Sequence, residues 1–336
     1  MRNKLFKIFS YLILSLFFSI NLNSEELFNF NVSEIKITQD GNLFQGFGGG
    51  KAFTNDGISI SAENFEYNKI DNYLLAKNNV KFVDQTKKII INANEISYNR
   101  KHEKIIAKGN VEIIDNINST TTLANEIIYL KNKQEIIAKN NVKLNDELNN
   151  LSIIADHIYL YKKDEKIVAE RNVILEDFNK DIKINSNKIT FNKLKNLIFT
   201  EGKTTANVES KFYFDSSNVS FLKKEMKLFS ENKTVIRAQD FSLYELSSFE
   251  YQIDKEFLKG KNLFVTENSK LKDGESDKYY FADGFFDLKN KTFKTGTTKI
   301  FLKKNIFDRS ENDPRLYGVS SDHINGIMTV NKAVFT

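Results

Sequence analysis

The chain has 336 residues, no Cys, no Trp, a single Pro and a net charge of +5. Three of its 49 basic residues fall in the first seven positions; without them 46 face 44 acidic ones, a net of +2 that lays down no nucleic-acid footprint. Zero Cys means that any exported form must hold together without disulfides, and one Pro among many Ile, Val, Phe, Tyr and Thr favours long uninterrupted strands, because Pro cannot donate to a ladder.

The chain opens with Arg2, Lys4 and Lys7 around the apolar run Leu5 to Ile20, followed by polar Asn21-Leu22-Asn23-Ser24. A basic start, a short apolar core and a small residue near its end describe a secretory signal peptide over residues 1–24, with no Cys nearby for a lipoprotein signal. The run is short for a membrane anchor. From Asn31 to Ile60 strand-like alternation passes through Val32, Ile35 and Ile37 and turns at Asp40-Gly41-Asn42. The stretch Gly46-Phe47-Gly48-Gly49-Gly50-Lys51 faintly resembles a phosphate loop, but Gln45 and Ala52 break the required pattern, and a flexible turn between strands is expected instead.

A repeat then takes over. Ala93-Asn94-Glu95-Ile96-Ser97-Tyr98 recurs in variants starting at Ala62, Ala124, Ala155 and Ser186, each start 31 residues from the last. Its closing half, Ala107-Lys108-Gly109-Asn110-Val111, recurs from Ala76, Ala138 and Ala169 in the same phase. A period in this range marks a repeat architecture. Within the opening strand Ile89, Ile91 and Ala93 step by two, then Ile96 and Tyr98 resume after a step of three, so a β-bulge is expected there in every copy. The closing strand keeps one parity through Ile105, Ala107, Val111 and Ile113. The column Asn78, Gly109, Asn140, Arg171, Gly202 predicts a left-handed bulge or corner. The next column, Asn79, Asn110, Asn141, Asn172, predicts an amide ladder that caps backbone between rungs rather than holding a ligand.

The pattern continues less regularly. A sixth copy runs from Ser216 to Ser230, a seventh is expected to open at Ala238-Gln239-Asp240-Phe241 and close near Gly260, and an eighth pairs Ala282-Asp283-Gly284-Phe285 with Phe293 to Gly296. Residues 303–315 are charged and irregular, and Val319 to Thr336 turns apolar, ending in what reads as mid-strand.

No catalytic or metal constellation emerges. His102 falls in a turn, His323 in the tail, and His157 in the column of Glu95 and Glu126, which reads as a solvated strand position. The acids fall at repeat-equivalent or turn positions, a surface pattern, and no nucleophile sits in a recognisable elbow. The expectation is a non-enzyme without cofactor. What remains is an apolar interior that one repeat cannot bury alone. Closed, such a stack is a scaffold; open along one side, it is a trough that suits acyl chains, at ~0.8 kcal/mol per buried methylene.

The signal-like start and the repeats Ala-Asn-Glu-Ile-x-Tyr with Ile-Ala-Lys-Gly-Asn-Val-Glu-Ile (106–113) resemble the OstA-like family of lipopolysaccharide transport proteins, to which LptA and LptD belong. The resemblance covers residues 30 to 300. Glu311 to Ser320 and Asn331 to Thr336 look more particularly like the segment of LptD proteins before their outer-membrane barrel, though no barrel sequence is present. The resemblance therefore leaves open a truncated relative or a free-standing periplasmic domain. It implies an all-β, elongated β-jellyroll (β-taco) over 25–300 with a junction segment at 301–336. It further implies a periplasmic, outer-membrane-associated carrier for the acyl chains of lipid A. Implied partners are lipopolysaccharide, other OstA-like domains joined by edge-strand pairing, and an outer-membrane barrel or its lipoprotein; no nucleic acid is expected. The inward parity supplies the groove-lining candidates Ile91, Ile96, Ile105, Val111, Ile113, Ile127, Ile136, Val142, Ile158 and Ile167. The main rival is a structural β-solenoid with a sealed core; a carbohydrate-active β-helix would want carboxylates clustered on one face, which the acids do not do.

Overall fold

A computed structural model describes residues 28–272, 275–307 and 314–336; the signal-like segment lies outside them. Its strands join in one antiparallel sheet. The first are β1 (Asn29–Thr38), β2 (Leu43–Phe53), β3 (Ile58–Ala62), β4 (Asn64–Asn68) and β5 (Tyr73–Asp84). Then come β6 (Ile89–Asn99), β7 (Lys104–Asp115), β8 (Thr120–Leu130), β9 (Glu135–Asp146), β10 (Leu151–Tyr161), β11 (Lys166–Asp177), β12 (Ile182–Asn192) and β13 (Leu197–Val208). From β5 to β13 each strand pairs with the next, so the 31-residue repeat is one hairpin of a continuous meander.

Every strand of this meander bends at its middle. In β6 the buried side chains are Ile89, Ile91, Ala93, then Ile96 and Tyr98, reproducing the change of parity. The location of the surplus residue differs from expectation. Between the pairs Asn92–Glu112 and Glu95–Lys108, β6 has two residues and β7 has three. The surplus lies on the closing strand, because that strand holds the residues that accept left-handed backbone: Gly109 and Asn110 have φ of +75° and +49°. Asn78–Asn79, Asn140–Asn141 and Arg171–Asn172 repeat this double left-handed step. The predicted corner column is therefore real. Of the amide column, Asn79 and Asn172 donate to the carboxylates of Glu63 and Asp156 across the corner, at 2.6 and 3.1 Å, rather than to backbone.

The glycine stretch 46–51 is not a flexible turn but the corner of the first rung, inside β2. Gly48, Gly49 and Gly50 have φ of +72°, +82° and +156°. A Cβ on Gly50 would lie 2.2 Å from the Asn31 carbonyl oxygen, so the close approach of β1 requires glycine there.

The bends fold the sheet on itself into two facing layers. Phe82 and Tyr98 sit on opposite sides of the corner, yet their rings meet edge-on at 6.0 Å; Phe214 and Tyr251 meet across it too, tilted at 5.4 Å. The inward side chains of both layers merge into one apolar core that runs along the stack. All-β and elongated by stacking, the architecture is the β-jellyroll that the repeats predict.

Beyond β13 the strands shorten. They are β14 (Phe212–Ser217), β15 (Ser220–Leu222), β16 (Lys227–Ser230), β17 (Thr234–Ala238), β18 (Leu243–Leu246), β19 (Ser248–Gln252), β20 (Phe257–Thr266) and β21 (Lys278–Asp287). The last are β22 (Thr292–Thr295), β23 (Thr298–Phe301), β24 (Arg315–Gly318), β25 (Ser320–Ile324), β26 (Ile327–Asn331) and β27 (Val334–Phe335). Here Ala238-Gln239-Asp240-Phe241 does not open the seventh copy. It ends β17 and forms the following turn, where the Phe241 N–H donates to the Ala238 carbonyl. The seventh corner is Ser247, which donates its N–H to Lys261 opposite Gly260 and Asn262. The alanine matched the repeat by composition, whereas the register of β17 on β14 puts it at the turn edge. The sixth and eighth corners, at Asn218 and Ala282–Asp283, lie where expected. Residues 308–313 of the irregular stretch lie outside the described ones.

Candidate functional site

The ten groove candidates, Ile91, Ile96, Ile105, Val111, Ile113, Ile127, Ile136, Val142, Ile158 and Ile167, all point into the core, and none is more than 2% exposed. Along these repeats the two layers touch. The candidates lie together in the buried core cluster.

What seals this part is a row of ion pairs along the seam where the two free edges of the folded sheet meet. Each joins an Asp in one layer, at a strand end in every pair but the first, where Asp56 lies in the turn after β2, to a base that begins a turn in the other. Arg100 meets Asp56 at 2.9 Å, Lys131 meets Asp84 at 3.2 Å, Lys162 meets Asp115 at 2.7 Å and Lys193 meets Asp146 at 2.6 Å. Lys223 meets Asp177 in the same way and also donates to the Asn149 carbonyl at 3.2 Å. Lys131 reaches Glu103 too, at 3.1 Å, and Glu103 accepts the Tyr98 hydroxyl at 2.8 Å. Asp84, Asp115, Asp146 and Asp177 are buried. These acids are therefore not the solvated surface positions that their placement in the repeat predicts: the fold brings the opposite edge over them. Burial pushes the Asp115 carboxyl up, but hydrogen bonds from Lys162 and Asn118 and the Lys162 charge outweigh it, so it titrates below its ordinary 3.8.

This constellation had a signal in the sequence. Asp84, Asp115, Asp146 and Asp177 recur every 31 residues, as do Lys69, Arg100, Lys131, Lys162 and Lys193. Two columns of opposite charge in fixed phase could have been matched; what hid them is that the partners lie about one and a half repeats apart.

The row ends at Asp177–Lys223. The next equivalent positions are Val208 and Ile253, both buried, and then Ala238 and Leu288. At Ala238 and Leu288 the layers part around a cavity of about 870 Å³. Its apolar wall is Phe212, Tyr244, Val265, Tyr279, Phe281, Phe286, Phe293 and Met328. Lys211, Asp240, Glu267, Asp287, Lys291 and His323 supply its polar lining. Burial, helped by Asp240, pushes the Tyr244 hydroxyl up to about 12, and burial with neighbouring Glu267 and Asp277 raises that of Tyr279. Burial, then the charge of Asp277, also raises the Glu267 carboxyl. Both phenols are therefore neutral hydrogen-bonding groups at neutral pH, in a wall that is otherwise aromatic and aliphatic.

His323 lies in this cavity, its ring stacked on Phe293 at 5.4 Å and its Nδ1 2.6 Å from the Lys291 carbonyl oxygen. His157, expected to be solvated, is half-buried with its Nδ1 shielded, while His102 is exposed in its turn. No three His, Asp or Glu side chains among the described residues are grouped to hold a metal.

No family model matches the chain, and no curated protein matches it. Among solved structures it is similar to LptH, the LptA homologous periplasmic component of the conserved lipopolysaccharide transport device from Pseudomonas aeruginosa. The identity is 12% and the TM-score 0.31, over 34% of this chain and 82% of that one, too loose a match to fix any residue-level correspondence.

Proposed function

We propose that this chain is a non-enzymatic carrier of lipopolysaccharide, holding lipid A acyl chains between the two layers of its folded sheet in the periplasm and delivering them toward the outer membrane. The observation that carries this reading is the cavity of about 870 Å³ at the seam, apolar in its walls and lined in part by charged side chains. Its size is within the roughly 300–1,000 Å³ usual for small-molecule sites. An acyl chain of a dozen carbons buried there gains roughly 10 kcal/mol gross, while charged and sugar groups stay at the seam in water. The signal-like N-terminus and the repeat motifs support export and the OstA-like resemblance. Partners would join end to end by strand addition on β1 or on β26, each of which has a single partner strand among the described residues. Within this reading the ten buried candidates line the path when the layers separate.

One observation favours the rival, a structural solenoid: the regular repeats are sealed. A photo-crosslinker placed singly on the mature chain, incubated with lipopolysaccharide, separates the two. The carrier predicts adducts at Phe281 and Phe286 and none at Lys101 or Leu148, which lie in exposed turns. Adducts absent from the cavity positions, or equal at all four, would sink the carrier reading in favour of the solenoid.

A further inference from the structure

We propose that the Asp–Lys row along the seam is a latch, and that the stack has a second state in which the latch parts and the cavity extends as a continuous apolar groove through the regular repeats. The purpose of the opening rests on the carrier reading; the opening itself does not.

Three observations converge on it. The ion pairs occupy a line where the two layers meet without backbone hydrogen bonds: among the described residues strand pairing runs along the stack, around the corner, and none crosses the seam. Separating the layers there breaks no ladder. Next, the closed and open parts of the interior divide where the row stops. Up to Asp177–Lys223 the acids of the row are buried over a close-packed core; past the apolar pair Val208 and Ile253, among the described residues only the half-exposed Lys211–Glu256 pair, at 2.5 Å, still spans the seam, and the cavity begins at Ala238 and Leu288. The cavity is thus the open end of a seam that is closed elsewhere.

The third observation is an asymmetry within the four Asp–Lys pairs, Arg100–Asp56 at the start of the row being the reverse, with the acid the more exposed partner. The acids are almost wholly covered, whereas the lysine side chains keep 9% to 17% of their surface, because each starts a turn. A lysine there can swing its ammonium into water on a flexible stem as the seam opens, leaving the buried Asp to be wetted by the same movement. Buried ion pairs add little net stability over apolar contacts and serve better to specify one arrangement. A sealed repeat protein had no need of a charge at four successive buried positions, where its own Val208 and Ile253 show that apolar residues fit.

The test needs no lipid. The chain has no Cys, so Ile136→Cys, under the Lys131 and Lys162 pairs, supplies a unique interior thiol, and Phe293→Cys supplies one in the cavity. Thiol-reagent labelling is timed for each in the wild-type background and with Asp84→Asn plus Asp115→Asn, which free Lys162, leave Lys131 with Glu103 alone and strand no buried carboxylate. The latch predicts that labelling at position 136 quickens roughly tenfold per pair removed, the worth of one charge-assisted hydrogen bond, while position 293 is unaffected. Circular dichroism must retain the strand signal. If the double variant loses it, Asp115→Asn alone serves, and position 136 must still label faster than in the wild-type background. Unchanged protection at 136 in a folded neutralised variant overturns the latch, whatever the lipid crosslinking shows. Faster labelling without lipid adducts at Phe281 and Phe286 upholds the latch and sinks the carrier.

Discussion

At the residue scale the seam turns on which partner of a pair is removed. Lys162→Ala leaves Asp115 charged and buried with its cation gone, a change that typically costs ~3–5 kcal/mol. Asp115→Asn leaves a lysine that can reach water and should cost clearly less, so the two variants are expected to rank in that order in denaturant unfolding. The acid limb follows from linkage. The Asp115 carboxyl titrates below 3.8 when folded, so the unfolded chain binds its proton first. Its contribution is complete above the unfolded value and is lost as pH falls through the lower folded one. Stability measured from pH 6 down to pH 2 should therefore fall less steeply in Asp115→Asn than in wild type. Glu267 has the opposite sign: its folded pKa is raised, so its ionisation disfavours the fold as pH rises. Glu267→Gln is expected to be neutral or stabilising at pH 7 in thermal unfolding, with the advantage gone below pH 4.

At the scale of the element the corner is the defining device. A strand of 11 or 12 residues would run straight, and left-handed residues at the middle of each closing strand, two in β5, β7, β9 and β11 and one in β13, bend it in register with its neighbours. Asn is accepted at the Gly109 position in two other copies, Asn78 and Asn140, so Gly109→Asn should be tolerated. Gly50→Ala should not, because backbone atoms stand 2.2 and 2.7 Å from the new Cβ. A penalty of ~1–3 kcal/mol in thermal unfolding is expected for it, against near zero for Gly109→Asn. Parity and corner were both legible in the repeat, since apolar steps of two and Gly or Asn columns are local signals. The strand carrying the surplus residue was not, because a bulge is defined against a partner. The Gly46–Lys51 stretch misled for a related reason: glycines that serve a corner inside a strand have the composition of a loop.

At the scale of the whole molecule the described residues form a one-dimensional stack, each rung held by its neighbours. Among the described residues β1 pairs only with β2 and exposes Ile35 and Ile37; at the other end β26 pairs only with β25 and exposes Ile327. If these ends join copies or relatives, a charge on the edge should block the contact. Ile37→Lys is expected to abolish any concentration-dependent association seen by light scattering while leaving the strand signal intact; association that survives it would place the contact elsewhere.

The repeat alone determined the class of fold, the stacking and the inward face of every regular strand, because those follow from a period of two within strands and 31 between them. Only the tertiary structure decided whether that inward face is a groove or a core. The side chains facing inward are the same in either case; the difference is the distance between two layers that are far apart in sequence. Buried edge acids, each paired with a base a repeat and a half away, close that gap as far as Asp177–Lys223, and where their columns give way to Val208, Ile253, Ala238 and Leu288 the layers part around the cavity.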